Sequence, residues 1–205
     1  YESDGLTAYR QLPMIVVLPE TTEQVSEILK YCNDNNVRVV PRGAGTSLSG
    51  GALPLEDGVL LGLGKFNRVL EVDFDNRCAT VQPGVTNLGV TQAVQHKGFY
   101  YAPDPSSQIA CTIGGNVATN SGGPHTLKNG VTTNHVLGYE MVLPDGTVEW
   151  LGIEPDGGEE AFAGERAFAG GGLQANTFRG DEVEVVCEAG IKSFPCGFCG
   201  LRGGL

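Results

Sequence analysis

One stretch constrains this chain more than any other: residues 37–51, "VRVVPRGAGTSLSGG", where an apolar run passes directly into a loop of small residues. Between positions 41 and 51 stand four glycines, two serines and a threonine. A strand that stops in so many small residues does so where backbone must approach something closely. Upstream, "MIVVLPETTEQVSEILKYCNDNN" reads as a strand, a turn and a helix. Thr21 is the expected N-cap, and Gln24, three residues on, completes a capping box. Val25, Ile28, Leu29 and Cys32 fall at i, i+3, i+4 and i+7, which is one apolar helical face. "NDNN" then stops the helix. The result is a short β-α-β unit whose second strand ends in the glycine loop, where open α/β sheets bind ligands.

The loop lacks the features of two common phosphate cradles. A P-loop requires G-x-x-x-x-G-K-[ST]; Gly45 and Gly50 have that spacing, but Gly51 and Ala52 occupy the Lys and Ser/Thr places. A dinucleotide fingerprint requires G-x-G-x-x-G opening a helix; Gly43 and Gly45 fit, but Leu48 stands where the third glycine belongs. The remaining option is a nest of successive backbone amides, which binds an anion without a cationic side chain. Thr46, Ser47 and Ser49 would add hydroxyl donors, and Leu48 is expected to point inward.

Further along, "GVLLGL", "RVLEVD" and "CATVQPG" read as strands separated by turn residues. "TNLGVTQAVQHKG" predicts a helix capped by Thr86 and closed by Gly98. "GYEMVLPDGTVEWLG" alternates about a Pro-Asp-Gly turn, a hairpin signal. Strands outnumber helices without regular β-α alternation, so the expected class is α+β in two layers or subdomains. From residue 153 onward glycine is frequent and periodicity scarce, with "EVEVVCEA" as the one convincing strand. That tail is expected to be the least ordered part of the chain, and its composition suggests a divergent or misread segment.

A second cluster of small residues, "PDPSSQIACTIGGNVATNSGG" at 103–123, complements the first. Asn and Thr side chains can read the edge of a flat heterocycle, and glycines let a ring lie against backbone. Two such loops suit a long ligand with a phosphate middle and a ring at each end, the shape of a dinucleotide.

Composition narrows the alternatives. The 205 residues, 40% hydrophobic, allow one substantial core or two adjoining small ones. Thirteen Lys and Arg against 24 Asp and Glu give a net charge of −11, which argues against phosphate-driven nucleic-acid binding. No apolar stretch approaches the roughly 20 residues that cross a bilayer. The start, "YESDGLTAYR", has neither an initiator Met nor a signal-like segment, so a piece of a longer cytoplasmic polypeptide is expected. Of six cysteines, Cys32, Cys78 and Cys111 read as free packing thiols. Cys196 and Cys199 form a lone C-x-x-C without the other ligands zinc needs, so no metal site is expected.

Taken together, "YESDGLTAYRQLP", "PRGAGTSLSGG", "VQPGVTN", "PDPSS", "CTIGGNVATNSGGPH" and "NGVTTNHVLGYEMVLPDG" resemble the PCMH-type FAD-binding domain of the vanillyl-alcohol-oxidase superfamily. Within it the likeness is to the branch that holds the flavin-binding chain of glycolate oxidase and the D-lactate dehydrogenases. It covers about residues 1–152. The resemblance implies an N-terminal β-α subdomain and a second, mainly antiparallel one, divided near residue 75, with FAD between them. It implies that Pro41, Arg42, Gly43, Ala44 and Gly45, then Thr46, Ser47, Leu48 and Gly50, wrap the FAD diphosphate. Pro103, Asp104, Pro105 and Ser106 would line the flavin side. So would Thr112, Ile113, Gly114, Gly115 and Asn116, followed by Asn120, Ser121, Gly122 and Gly123.

The resemblance further implies oxidation of a small 2-hydroxy acid, glycolate or D-lactate. Electrons would pass to a partner subunit or a quinone pool, which could bring a cytoplasmic protein to a membrane through its partners. The alternative is a fragment that holds FAD without turnover. The chain departs from its relatives in three ways. It lacks the "GSEGTLGI"-like run after the hairpin, Asn129 replaces an aromatic residue before Gly130, and the substrate domain that carries the catalytic residues is missing. Neither His125 nor His135 falls in the diphosphate loop, so non-covalent FAD is expected. His125 lies beside the flavin-side glycines, where it would contact the ring or substrate or else serve as a hydrogen-bonded structural residue.

Overall fold

A computed structural model describes residues 1–152, 185–192 and 194–195. The first unit of the chain is the expected β-α-β. Strand β1 (Ile15–Val17) leads into helix α1 (Thr22–Asp34), followed by β2 (Arg38–Arg42) and β3 (Gly58–Gly62). The three strands form a parallel sheet in the order β1-β3-β2. Central β3 is buried at all five positions, as a run covered on both faces must be. Pro41 is tolerated in β2 because that strand lies at the sheet edge. At the start of α1, Thr21 accepts from the Gln24 amide while the Gln24 side chain accepts from the Glu20 amide, 2.8 Å away. Val25, Leu29 and Cys32 are buried on the expected face, and Asn36 turns left-handed with φ 53° to end it.

The second sheet is antiparallel throughout. It contains β4 (Val69–Asp73), β5 (Cys78–Val81), β7 (Val136–Val142), β8 (Val148–Gly152) and β9 (Val185–Lys192), in the order β4-β5-β9-β7-β8. Helix α2 (Asn87–Val94), two-residue β6 (Phe99–Tyr100), α3 (Ile113–Thr119) and α4 (Thr126–Asn129) lie between β5 and β7. Two residues, Phe194–Pro195, form β10 against β6. The mixed architecture is the expected α+β. Thr86 caps α2 by accepting from Gly89, and Gly98 closes the following 3₁₀ turn at φ 79°. The β7–β8 hairpin turns at Gly146, φ 85°, with Leu143 and Thr147 joined by a 2.8 Å bond.

The strand expected within "EVEVVCEA" starts three residues later and lies in the middle of the sheet, antiparallel to both β5 and β7. The other expectations for the tail, together with the lone C-x-x-C, lie outside the described residues. Helix α3 was not expected. Its two glycines, Gly114 and Gly115, suggested loop, yet Thr112 caps it and Ile113 and Val117 anchor it in the core. Tertiary burial here outweighs a poor intrinsic propensity.

Among the described residues, apolar packing gathers in two clusters. One joins Ala79, Val81, Val90, Tyr101, Ile113 and Val136 beneath the antiparallel sheet. The other brings Val25 and Leu29 of α1 against Leu61 and Phe66 and also against Val142 of β7. Helix α1 therefore packs on both sheets, and its Ser26 hydroxyl donates to the Gly146 carbonyl at the hairpin tip, 2.5 Å away. Among the described residues no helix is long and apolar enough to cross a membrane.

Tyr101 gives a first prediction. It is 3% exposed, and its hydroxyl meets no hydrogen-bond partner among the described residues. Burial, with Cys111 nearby, pushes the phenol well above the ordinary tyrosine value. Its contribution to stability is therefore complete below the unfolded value of about 10 and is lost as pH rises toward the folded one. Tyr101→Phe removes an unsatisfied hydroxyl, so the unfolding free energy at pH 7 should hold or rise by about 1 kcal/mol. Its fall above pH 10 should be shallower than in the parent. Urea melts at the two pH values read both effects, and a loss above about 1 kcal/mol at pH 7 would reveal a partner for the hydroxyl.

Candidate functional site

The glycine loop leaves β2 at Arg42 and returns to β3 at Gly58. Among the described residues, no protein acceptor takes the amide hydrogens of Gly43, Ala44, Gly45, Thr46, Ser47 or Leu48. Six consecutive amides left uncommitted among the described residues, with Gly45 at φ 71°, supply the donors that an anion-binding nest uses. These residues fit a diphosphate. The loop is half-exposed at most of these positions, so the amides face water or a ligand rather than apolar core.

Two expectations change here. Leu48 does not point inward; it is 65% exposed, because the loop packs through its backbone instead. Arg42 is not free to grip a ligand from within the loop. Its guanidinium turns beneath the loop and donates to the carbonyls of Tyr1 at 3.1 Å, Ser3 at 2.8 Å and Ala52 at 3.2 Å. A Cβ placed on Gly45 would stand 2.6 Å from Cζ of Arg42. The space behind Gly45 thus belongs to this guanidinium, not to an anion.

The N-terminal segment forms the back of the site. Asp4, 5% exposed, accepts from the Leu6 amide with Oδ1 and from the Gly50 amide with Oδ2, at 2.9 and 3.1 Å. Gly5 donates to the Ser47 carbonyl at 3.1 Å. Residues 3–6 are therefore laced to the loop by backbone and carboxylate. Nothing in the sequence distinguished Asp4 from an ordinary surface acid.

The second cluster meets the first at one point: a Cβ on Gly43 would collide with Oγ1 of Thr112. Thr112 heads α3, whose first amides are all committed. Ile113 donates to Val85, Gly114 to Pro83, Asn116 to Thr112, and Gly115 to the Thr112 hydroxyl. Gly114 lies against Pro83. Asn116 was expected to read a heterocycle edge; instead it is 2% exposed and donates from Nδ2 to Asn87 Oδ1 at 2.9 Å. Asn87 in turn donates to the Pro103 carbonyl at 2.9 Å. This buried amide pair ties α2, α3 and the Pro103–Ser106 segment together, and sequence reading missed Asn87 because it sits at an ordinary first helical position.

Around this frame, Pro105 is buried and Ser106 exposed. Asn120 adopts φ 47° to end α3, and its Oδ1 accepts from the Thr133 amide. Ser121 shares a 2.7 Å hydroxyl contact with Thr119, while its carbonyl accepts from Thr132. Gly122 packs toward Thr126, and Gly123 lies flush on the Asp104 backbone. Asp104 grips His125 twice, at the amide (3.2 Å) and at Nδ1 (2.5 Å). His125 remains exposed at the surface of this cluster. His135, by contrast, is buried with Nε2 2.7 Å from the Asn129 carbonyl and its ring edge-on to Tyr101.

Residues 13–152 match the family model described as an FAD binding domain. The chain is 57% identical over 154 residues to glycolate oxidase subunit GlcD of Escherichia coli K12, covering 75% of this chain and 31% of that protein. It is 40% identical over 153 residues to D-lactate dehydrogenase of Anaerostipes hadrus, covering 74% and 32%. Among solved structures, alkyldihydroxyacetonephosphate synthase superposes with a TM-score of 0.69 at 24% identity, over 88% of this chain and 31% of that one. That last likeness concerns the fold. The chain spans about a third of the length of the relatives it matches.

Proposed function

The chain belongs to the FAD binding domain family, and from that premise we propose that it is the cofactor-holding part of an oxidoreductase acting on a small 2-hydroxy acid. FAD is its cofactor. The observation that carries the proposal is the run of six amides in the glycine loop that are uncommitted among the described residues, set against Thr112 at the head of the second cluster. In this reading the loop holds the diphosphate without covalent attachment, and the 103–106 and 112–123 segments border the flavin. A division near residue 75 would fall between β4 and β5, which pair in one sheet, so in this reading the two subdomains that flank the cofactor part between β3 and β4.

Bound FAD would supply the hydride acceptor for oxidation at the substrate α-carbon. The protein's own contribution is placement. Amides of the loop meet the diphosphate charge, Asn87 and Asn116 fix α3 relative to Pro103, and Asp104 holds the His125 ring in one orientation. Relatives named for glycolate and D-lactate chemistry support a 2-hydroxy acid as substrate, with electrons leaving to an acceptor subunit or a quinone in the cytoplasm or at a membrane surface.

The test is a flavin titration followed by anaerobic addition of glycolate or D-lactate. The chain is expected to bind FAD and show its absorbance bands. Bleaching by substrate should be slow in this chain alone, because the substrate carboxylate normally pairs with an Arg or Lys that we place in the remaining two thirds of the relatives' length. Failure to bind FAD would end the proposal. Rapid bleaching would place the catalytic groups within these 205 residues.

A further inference from the structure

Arg42 is a half-buried cation in a chain of net charge −11, yet among the described residues no carboxylate forms an ion pair with it. Charged groups taken out of water are ordinarily paired. Of the acids in the same segment, Asp4 commits both oxygens to the Leu6 and Gly50 amides and Glu2 pairs with Arg10. Arg42 is surrounded by three carbonyls, by the Tyr1 ring 5.7 Å from Cζ, and by the backbone of Gly45. It is held firmly, and its positive charge lies against the Gly45 backbone, within the run of residues whose amides are uncommitted among the described residues.

We propose that Arg42 is a positioning residue that supplies the counter-charge for the cofactor diphosphate from behind the Gly43–Gly45 backbone. The N-terminal segment from Tyr1 to Asp4 clamps it there. This rests on the reading of the loop as the diphosphate site and deepens it. The amides contact the anion, and the guanidinium, one backbone thickness away, sets the local potential. Two features follow from the fork of Arg42. Its fixed geometry satisfies carbonyls on both the N-terminal segment and the loop. Its bulk requires that residue 45 be glycine. The arrangement explains how a loop without a lysine can hold a doubly charged ligand in an acidic protein.

The experiment compares FAD dissociation constants for the full chain and for Arg42→Lys, Arg42→Gln and Arg42→Met, with circular dichroism of each apo-protein. Arg42→Gln is neutral but still donates to carbonyls, so it preserves the clamp should Arg42→Met not fold. The expected order is parent, then Arg42→Lys within about fivefold, then Arg42→Gln weaker by about thirtyfold, since a nearby charge acting through low-dielectric backbone is worth more than one lost hydrogen bond. Rescue by lysine is the signature of charge. If lysine and glutamine variants bind FAD equally poorly, Arg42 only braces the loop and the proposal falls. If Arg42→Gln binds as the parent does while Gly45→Val does not, the loop holds the diphosphate without help from Arg42, and again the proposal falls. If Gly45→Val also binds normally, the loop reading itself is wrong.

Discussion

Gly45→Val is expected to weaken FAD binding by at least about a hundredfold while the apo-protein keeps its circular dichroism spectrum. Two effects act together. Residue 45 sits at φ 71°, a region that costs a β-branched side chain about 2 kcal/mol. Its first side-chain atom would also meet the Arg42 guanidinium, 2.6 Å away at Cζ, and force it off the carbonyls of Tyr1, Ser3 and Ala52. The loop can relieve both only by leaving its present conformation, and with it the placement of its six amides. At about 1.4 kcal/mol per tenfold, a combined cost near 3 kcal/mol gives the stated loss. Isothermal titration with FAD measures it. Undiminished affinity would move the cofactor elsewhere.

Asn87→Ala should have the opposite profile, a large loss of stability with its effect on FAD following from that. Asn87 is 1% exposed and joins the Asn116 amide to the Pro103 carbonyl, each at 2.9 Å. Truncation strands a buried donor and a buried acceptor at about 1–3 kcal/mol each. A decrease of about 3 kcal/mol in the free energy of unfolding is therefore expected in urea. A change under about 1 kcal/mol would mean that water or rearrangement satisfies both groups.

These two residues show where sequence reading succeeds and where it stops. Gly45 was legible because glycine density after an apolar strand has few explanations, and the two independent clusters do meet at Gly43 and Thr112. Helix α1 was legible down to its cap, since periodicity and capping are local signals. Asn87 and Asp4 were not, because a buried polar side chain looks like a surface one until its partners, 16 to 46 residues away, are brought to it. Leu48 misled for a related reason. Its hydrophobicity argued for burial, but a loop that folds through backbone bonds leaves side chains outside. Asn116 belongs with Asn87, because its side chain is committed to a buried frame that chain spacing could not show.

The position of β9 has a consequence for how the chain comes off the ribosome. β5 and β7 are both complete by residue 142, yet in the finished sheet they do not pair with each other, because β9 lies between them. Until residues 185–192 have been synthesised, the finished strand order cannot form, and the pairs β4–β5 and β7–β8 each lack their inner neighbour. Exposed strand edges invite pairing with other chains, and long-range strand insertion is slow. The nascent polypeptide therefore passes through an interval, more than forty residues of elongation after β7 ends, in which it is most open to chaperone capture or to mispairing with its neighbours on the same polysome.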